Sequence, residues 1–195
     1  VAGLWGPAAD LLFACGDPNR PGHVYFCKRG EPDSWPPANI TEVCSPSEEL
    51  MMGCLYGGQA FVFSKERLFY LYPNLSGTAD DVTSTVSQCK RGMVNRWGLA
   101  VGSGGMYFIN RDGIYRTVGG SEEWISRKID PLFRGKTVNG FSPIDFSALT
   151  TLRLEIHENE LYFQYTDTGG NVRVMVYSIP YEFWRPYEYD KDPSC

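Results

Sequence analysis

The sequence predicts an all-β protein, β-propeller-like, with about four blade units of antiparallel strands that make a whole propeller or a portion of a larger one. Three observations predict it. Runs of Tyr, Phe and Val are cut up by 21 glycines and 13 prolines, and aromatics reach 14% of the 195 residues. Such runs suit short strands joined by tight turns. Four of the runs are followed by a turn and a second run of the same kind, and a tryptophan recurs at nearly the same distance beyond three of those turns.

The first hairpin carries Leu11 to Cys15 through a Gly/Asp/Pro-rich turn into His23 to Cys27. The second carries Ala60-Phe61-Val62-Phe63 through Ser64-Lys65-Glu66-Arg67 into Leu68 to Tyr72. The third runs from Met106 to Ile109, turns at Asn110-Arg111-Asp112-Gly113 and continues through Ile114-Tyr115-Arg116. The fourth takes Leu161 to Tyr165 through residues 167–171 into Val172 to Tyr177. Asp112-Gly113 and the pair Gly169-Gly170 are expected to supply the positive φ of tight hairpin turns. The last two hairpins are apolar at most positions of both strands, the pattern of strands covered on both sheet faces.

Spacing ties the hairpins into a repeat. Tyr25, Val62, Phe108 and Phe163 mark them, at intervals of 37, 46 and 55 residues. A unit of about 40–50 residues is the period of propeller blades. It divides the chain into units 1–45, 46–93, 94–140 and 141–195. Trp35 lies eight residues past Cys27, Trp124 eight past Arg116 and Trp184 seven past Tyr177; the second unit has Ala79 at that place. These three tryptophans are expected to be buried, each closing its unit against a neighbour. A β-sandwich also gives several short strands, but leaves the tryptophan phase unexplained. No long helix is expected; Ser126 to Phe133 opens one that Pro131 limits to a turn or two.

The charge balance, 18 basic against 23 acidic side chains, is −5. It argues against a general phosphate-gripping surface, and Lys90, Arg91 and Arg96 read as a solvated loop. No apolar run approaches a membrane span. Val1 brings neither an initiator methionine nor a signal-peptide pattern, so the chain reads as processed, trimmed or cut from something longer. The six cysteines contain no CxxC pair and are expected to be free thiols. With only His23 and His157 beside them, no zinc spacing exists. The sequons at Asn39 and Asn74 matter only in a secreted eukaryotic protein.

The search for chemistry leaves no catalytic or metal residues and no cofactor. Ser87-Gln88-Cys89-Lys90 fits the S-x-x-K pattern without its companion motifs. Gly102-Ser103-Gly104-Gly105 precedes a strand and lacks the Lys-Ser/Thr ending of a phosphate loop, so it reads as a turn. Of the carboxylate pairs, Glu122 and Glu123 point to opposite faces of a strand. Glu158 and Glu160, beside His157, flank a turn at Asn159 as solvated charge. Exposed tryptophans stacking on sugar rings are the alternative reading.

Four stretches carry a resemblance. MMGCLYGGQAFVFSKERLFYLY at 51–72 resembles the blade motif of β-propeller proteins in bacteriophage virions, and GGMYFINRDGIYR at 104–116 is similar to its companion blade. SRKIDPLFR at 126–134 and RVMVYSIPYEFWRP at 173–186 resemble the Ser-x-x-Ile-x-Pro segment and the strand-turn-Trp close of that family. The resemblance implies a structural, non-enzymatic tail or neck component of a virion, present in the host cytoplasm during assembly. Its implied partners are other copies of itself and other tail or neck proteins in a ring around the DNA path. It implies neither stable sequence-specific nucleic-acid binding nor a membrane span. A carbohydrate-binding, receptor-recognition propeller is the alternative.

Overall fold

A computed structural model of the chain describes residues 3–74 and 81–187. Ala79, Cys195 and the Leu75-Ser76 part of the second sequon lie outside the described residues. Strand accounts for 51% and helix for 7%, so the all-β expectation holds. The first sheet comprises β1 (Gly3–Ala8), β2 (Leu11–Cys15), β3 (His23–Phe26) and β4 (Ile40–Glu42). The second comprises β5 (Leu50–Tyr56), β6 (Gln59–Ser64), β7 (Leu68–Pro73) and β8 (Val82–Val86). β9 (Leu99–Gly102), β10 (Gly105–Asn110), β11 (Gly113–Thr117) and β12 (Glu123–Trp124) make the third. The fourth holds β13 (Arg153–His157), β14 (Glu160–Thr166), β15 (Val172–Ser178) and β16 (Phe183–Tyr187). Every sheet is an antiparallel meander in chain order.

The hairpin between second and third strands has a local cause of one kind in three of the four sheets. A short polar residue follows or ends the second strand: Asp17, Ser64, Asn110 and Asp167. Such side chains offer the backbone N–H groups of a turn a partner that a continuing strand does not. Asp17 accepts from the Asn19 N–H, Ser64 from those of Glu66 and Arg67, and Asp167 from those of Gly169 and Asn171. In the third sheet Asn110 turns away and donates its Nδ2 to the Gly92 carbonyl at 2.9 Å.

Three apolar layers join successive sheets. The first, with Trp5, Phe13, Val24, Val62 and Phe69, lies between the first two sheets. A second layer holds Phe61, Phe63, Phe108 and Tyr115 between the second and third. Tyr107, Ile109, Phe163 and Tyr177 belong to the last, which also takes in residues 125–152. The inner sheets therefore bury both faces. In β10, Met106 and Phe108 face one layer while Tyr107 and Ile109 face the other, and all four are fully buried. β14 instead alternates, with Leu161, Phe163 and Tyr165 buried and the residues between them only half-buried. The expectation that both strands of the last hairpin are covered on both faces fails for β14: its sheet ends the stack, with an apolar layer on one side.

One other expectation needs correction, and the expected short helix is found. Tyr25 sits in a third strand, whereas Val62, Phe108 and Phe163 sit in second strands. Its structural counterpart is Phe13, so the unequal first interval came from counting one strand late. The helix at residues 126–133 is a 3₁₀ turn (Arg127–Ile129) followed by α1 (Asp130–Phe133), with Pro131 in its first turn as expected.

Candidate functional site

The first strands of successive sheets, β1, β5, β9 and β13, run beside one another. Where they meet they line a half-open cleft of about 470 Å³, within the size range of ligand pockets. Its walls are Leu4 of β1, Met52 of β5, Leu99 and Val101 of β9 and Leu154 of β13, with Arg96 and Trp97 from the segment before β9. Among the described residues, the lining carries no carboxylate, amide or hydroxyl side chain. Leu4, Trp97 and Val101 are 57%, 50% and 40% exposed, so the apolar surface here is open to solvent.

Trp97 is held by its neighbours in the chain. Its N–H donates to Asn95 Oδ1 at 2.7 Å, and its carbonyl accepts from the Leu154 N–H at 3.0 Å. Asn95 is buried and gives its amide to the carbonyls of Leu149 and Leu152. These bonds stitch the entrance of the third sheet to that of the fourth. Two guanidiniums lie over the indole, that of Arg96 at 5.2 Å and that of Arg153 at 5.5 Å from the ring centre. Arg153 forms no ion pair with a described carboxylate.

The tryptophans singled out by the repeat do not share one environment. Trp35 is exposed, contrary to expectation; it lies outside any strand and donates its Nε1 to the Pro32 carbonyl. Pro36 and Pro37 follow it, and proline can neither donate to a ladder nor leave its predecessor free. Trp124 and Trp184 are half-buried rather than buried. Trp124 borders the layer between the second and third sheets and donates to Ser126 Oγ at 2.8 Å. Trp184 packs on Tyr177 and Phe163 and donates to the Ile125 carbonyl at 2.9 Å, reaching across to the third unit. The buried tryptophan is one the repeat passed over. Trp5, 7% exposed, stacks on Phe13 and lies against Gly53, where an added Cβ would stand 2.1 Å from the indole.

At the hairpin turns, positive φ falls on Gly113 and Gly170 but not on Asp112 or Gly169, which corrects half of that expectation. Gly113 is also required sterically, since a Cβ there would meet Trp124 Nε1 at 2.6 Å and Ser126 Oγ at 2.7 Å. Asp112 takes an ion pair from Arg91 instead. That arginine also faces Glu122 and lies 4.5 Å over the Tyr115 ring, while Lys90 and Arg96 are exposed, as a solvated loop requires. Burial first, then the nearby Asp112, pushes the Tyr115 hydroxyl up to about 12.

Most of the candidate catalytic groups are tied into the structure, whereas Glu158 is exposed. Ser87 Oγ donates to the Gly119 carbonyl and accepts from the Cys89 N–H, joining the second unit to the third. Glu123 pairs with Arg116 and Glu122 with Arg91. Glu160 pairs with Arg185 at 2.7 Å, and that guanidinium holds its carboxyl below the usual carboxylate range. Residues 102–105 form a tight turn with Gly102 opposite Gly105. Among the described residues, no group of three or more His, Cys, Asp or Glu is placed to hold a metal, and no helix is long and apolar enough to cross a membrane. The five described cysteines are free and buried. Burial pushes the thiols of Cys15, Cys44, Cys54 and Cys89 up to about 12.

No protein-family model matches the chain, and a search of curated proteins finds no match.

Proposed function

We propose that the chain is a structural module of the β-propeller type and a tail or neck component of a bacteriophage virion. The observation that carries the propeller part is the arrangement of four meanders, with first strands side by side and an apolar layer between each pair of neighbours. That is how blades stack. Among the described residues no apolar cluster joins the fourth sheet to the first. This favours a portion of a larger ring over a closed four-bladed one. The virion part rests on the four stretches that resemble phage propeller blades. The net charge of −5 suits a wall past which DNA slides, because a basic wall would hold it.

The test is location in the particle. Gold-labelled antibody or cryo-EM of purified virions should place the protein on the tail axis, and its absence from purified particles overturns the reading. The carbohydrate-binding alternative draws on the solvent-facing Trp35 and Trp97. A glycan screen showing binding at micromolar concentration would put that reading in first place.

A further inference from the structure

We infer that the Asn139-Gly140 bond is a site of self-modification, where the Asn139 side chain closes on the Gly140 nitrogen as a succinimide that water opens to isoaspartate. The site does not depend on the virion reading. Val138 and Phe141 exchange backbone hydrogen bonds of 3.0 and 2.8 Å, and the two residues between them form a tight turn. Their φ angles, +49° and +84°, are both positive, as in a type I′ turn. Both residues are exposed, and no other asparagine of the chain precedes a glycine. Nucleophile and target are unengaged: among the described residues, neither the Gly140 N–H nor the Asn139 amide makes a hydrogen bond. A Cβ on Gly140 would meet nothing within 4 Å, so space is open beside its nitrogen. The amides of Asn39, Asn95, Asn110 and Asn171 are instead held by carbonyls or a carboxylate.

The two groups are neighbours in the chain, so the attack is intramolecular. Hydroxide takes the Gly140 amide proton, and the nitrogen forms a bond to Asn139 Cγ. The Cγ–Nδ2 bond breaks, and Nδ2 leaves as ammonia with a proton from water, which returns the hydroxide. A second water adds to one of the two ring carbonyls and breaks its bond to the Gly140 nitrogen. Opening at the main-chain carbonyl leaves the chain running through the side chain of residue 139, as isoaspartate; opening at Cγ gives aspartate. Nothing is oxidised or reduced. Isoaspartate adds a carboxylate and one carbon to the main chain between Val138 and Phe141, which disturbs their pairing. Both side chains pack against the last apolar layer, and the Arg173 guanidinium lies 5.5 Å from the centre of the Phe141 ring.

Incubation of the folded full chain at about pH 8.5 and about 37 °C, followed by peptide mapping with mass spectrometry, tests the site. Residue 139 should gain about one mass unit at least tenfold faster than any other asparagine, at a rate that rises in proportion to hydroxide, with isoaspartate as the main product. Isoelectric focusing should show a second, more acidic form building up over the same period. Asn139→Gln should remove that form, because the longer side chain would have to close a six-membered ring. An intact Asn139 at a time when another asparagine has converted overturns the proposal. So does aspartate without isoaspartate, the mark of direct hydrolysis, or an acidic form that builds up at the same rate in Asn139→Gln.

Discussion

The fourth and first sheets are built from the same order of strands and turns, yet one is tightly knit and the other is not. In the fourth, β14 and β15 pair over seven positions, and Trp184 sits in register opposite Tyr177 with its N–H bonded to Ile125. In the first, β3 and β4 have four and three residues, and Trp35 falls in the irregular stretch between them. The turns differ in the same sense. Asp167 is completely buried and accepts from Gly169, Asn171 and Arg173. Asp17, half-buried, accepts from Asn19 and the Tyr25 hydroxyl. A tryptophan at a fixed distance past a hairpin becomes an anchor only if the residues around it can join the ladder. Pro36-Pro37 prevents that in the first sheet, which draws its anchor from Trp5 on its opposite edge.

The largest effect expected from this contrast is at Trp5. Trp5→Ala should cost about 4 kcal/mol, the range for removing a large aromatic from a core, read from urea or thermal unfolding. A loss below about 1 kcal/mol would mean that the first sheet has no tryptophan anchor at all. Asp167→Ala comes next, at about 3 kcal/mol, because it strands several donors and the Arg173 charge. Its carboxyl also sets a pH dependence. Burial raises its pKa, but Arg173, Asn171 and Gly169 outweigh burial, so the folded-state value is lowered. Its contribution is therefore fully present above the unfolded carboxylate pKa of about 4 and is lost as pH falls through the folded value. Asp167→Asn should flatten the fall of melting temperature below about pH 4; an unchanged acid limb would remove Asp167 from that role.

Trp184→Ala should cost about 2–3 kcal/mol, less than a full core deletion because the ring is half-buried. Trp35→Ala should lie within about 0.5 kcal/mol of wild type, as surface substitutions do. If these two variants lose equal stability, the contrast between the sheets is wrong.

The hairpins were legible because their signals are local: a polar turn residue such as Ser64 or Asp167 between aromatic runs needs no tertiary information. The stacking was half legible. The continuous burial of β10 follows from GMYFIN, but the one-sided burial of β14 does not follow from ELYFQYT, because the chain does not announce which sheet lies at the end of the stack. Trp5 was missed since it marks a first strand, outside the phase set by the other three; its usable signal was a small partner, Gly53, in the next unit. The cleft was invisible for a similar reason. Leu4, Met52, Leu99 and Leu154 are ordinary apolar residues, far apart in sequence, that become a wall only when the first strands lie side by side.

The meander topology has a kinetic consequence. Within each sheet a strand pairs only with its neighbours along the chain, so the loops closed at each step are short and their entropic cost is small. Sheets then add one after another, each new one docking on the face of the last, much as repeats extend a solenoid. Such a chain should fold quickly for an all-β protein, and on the ribosome each emerging meander meets a partner surface already in place.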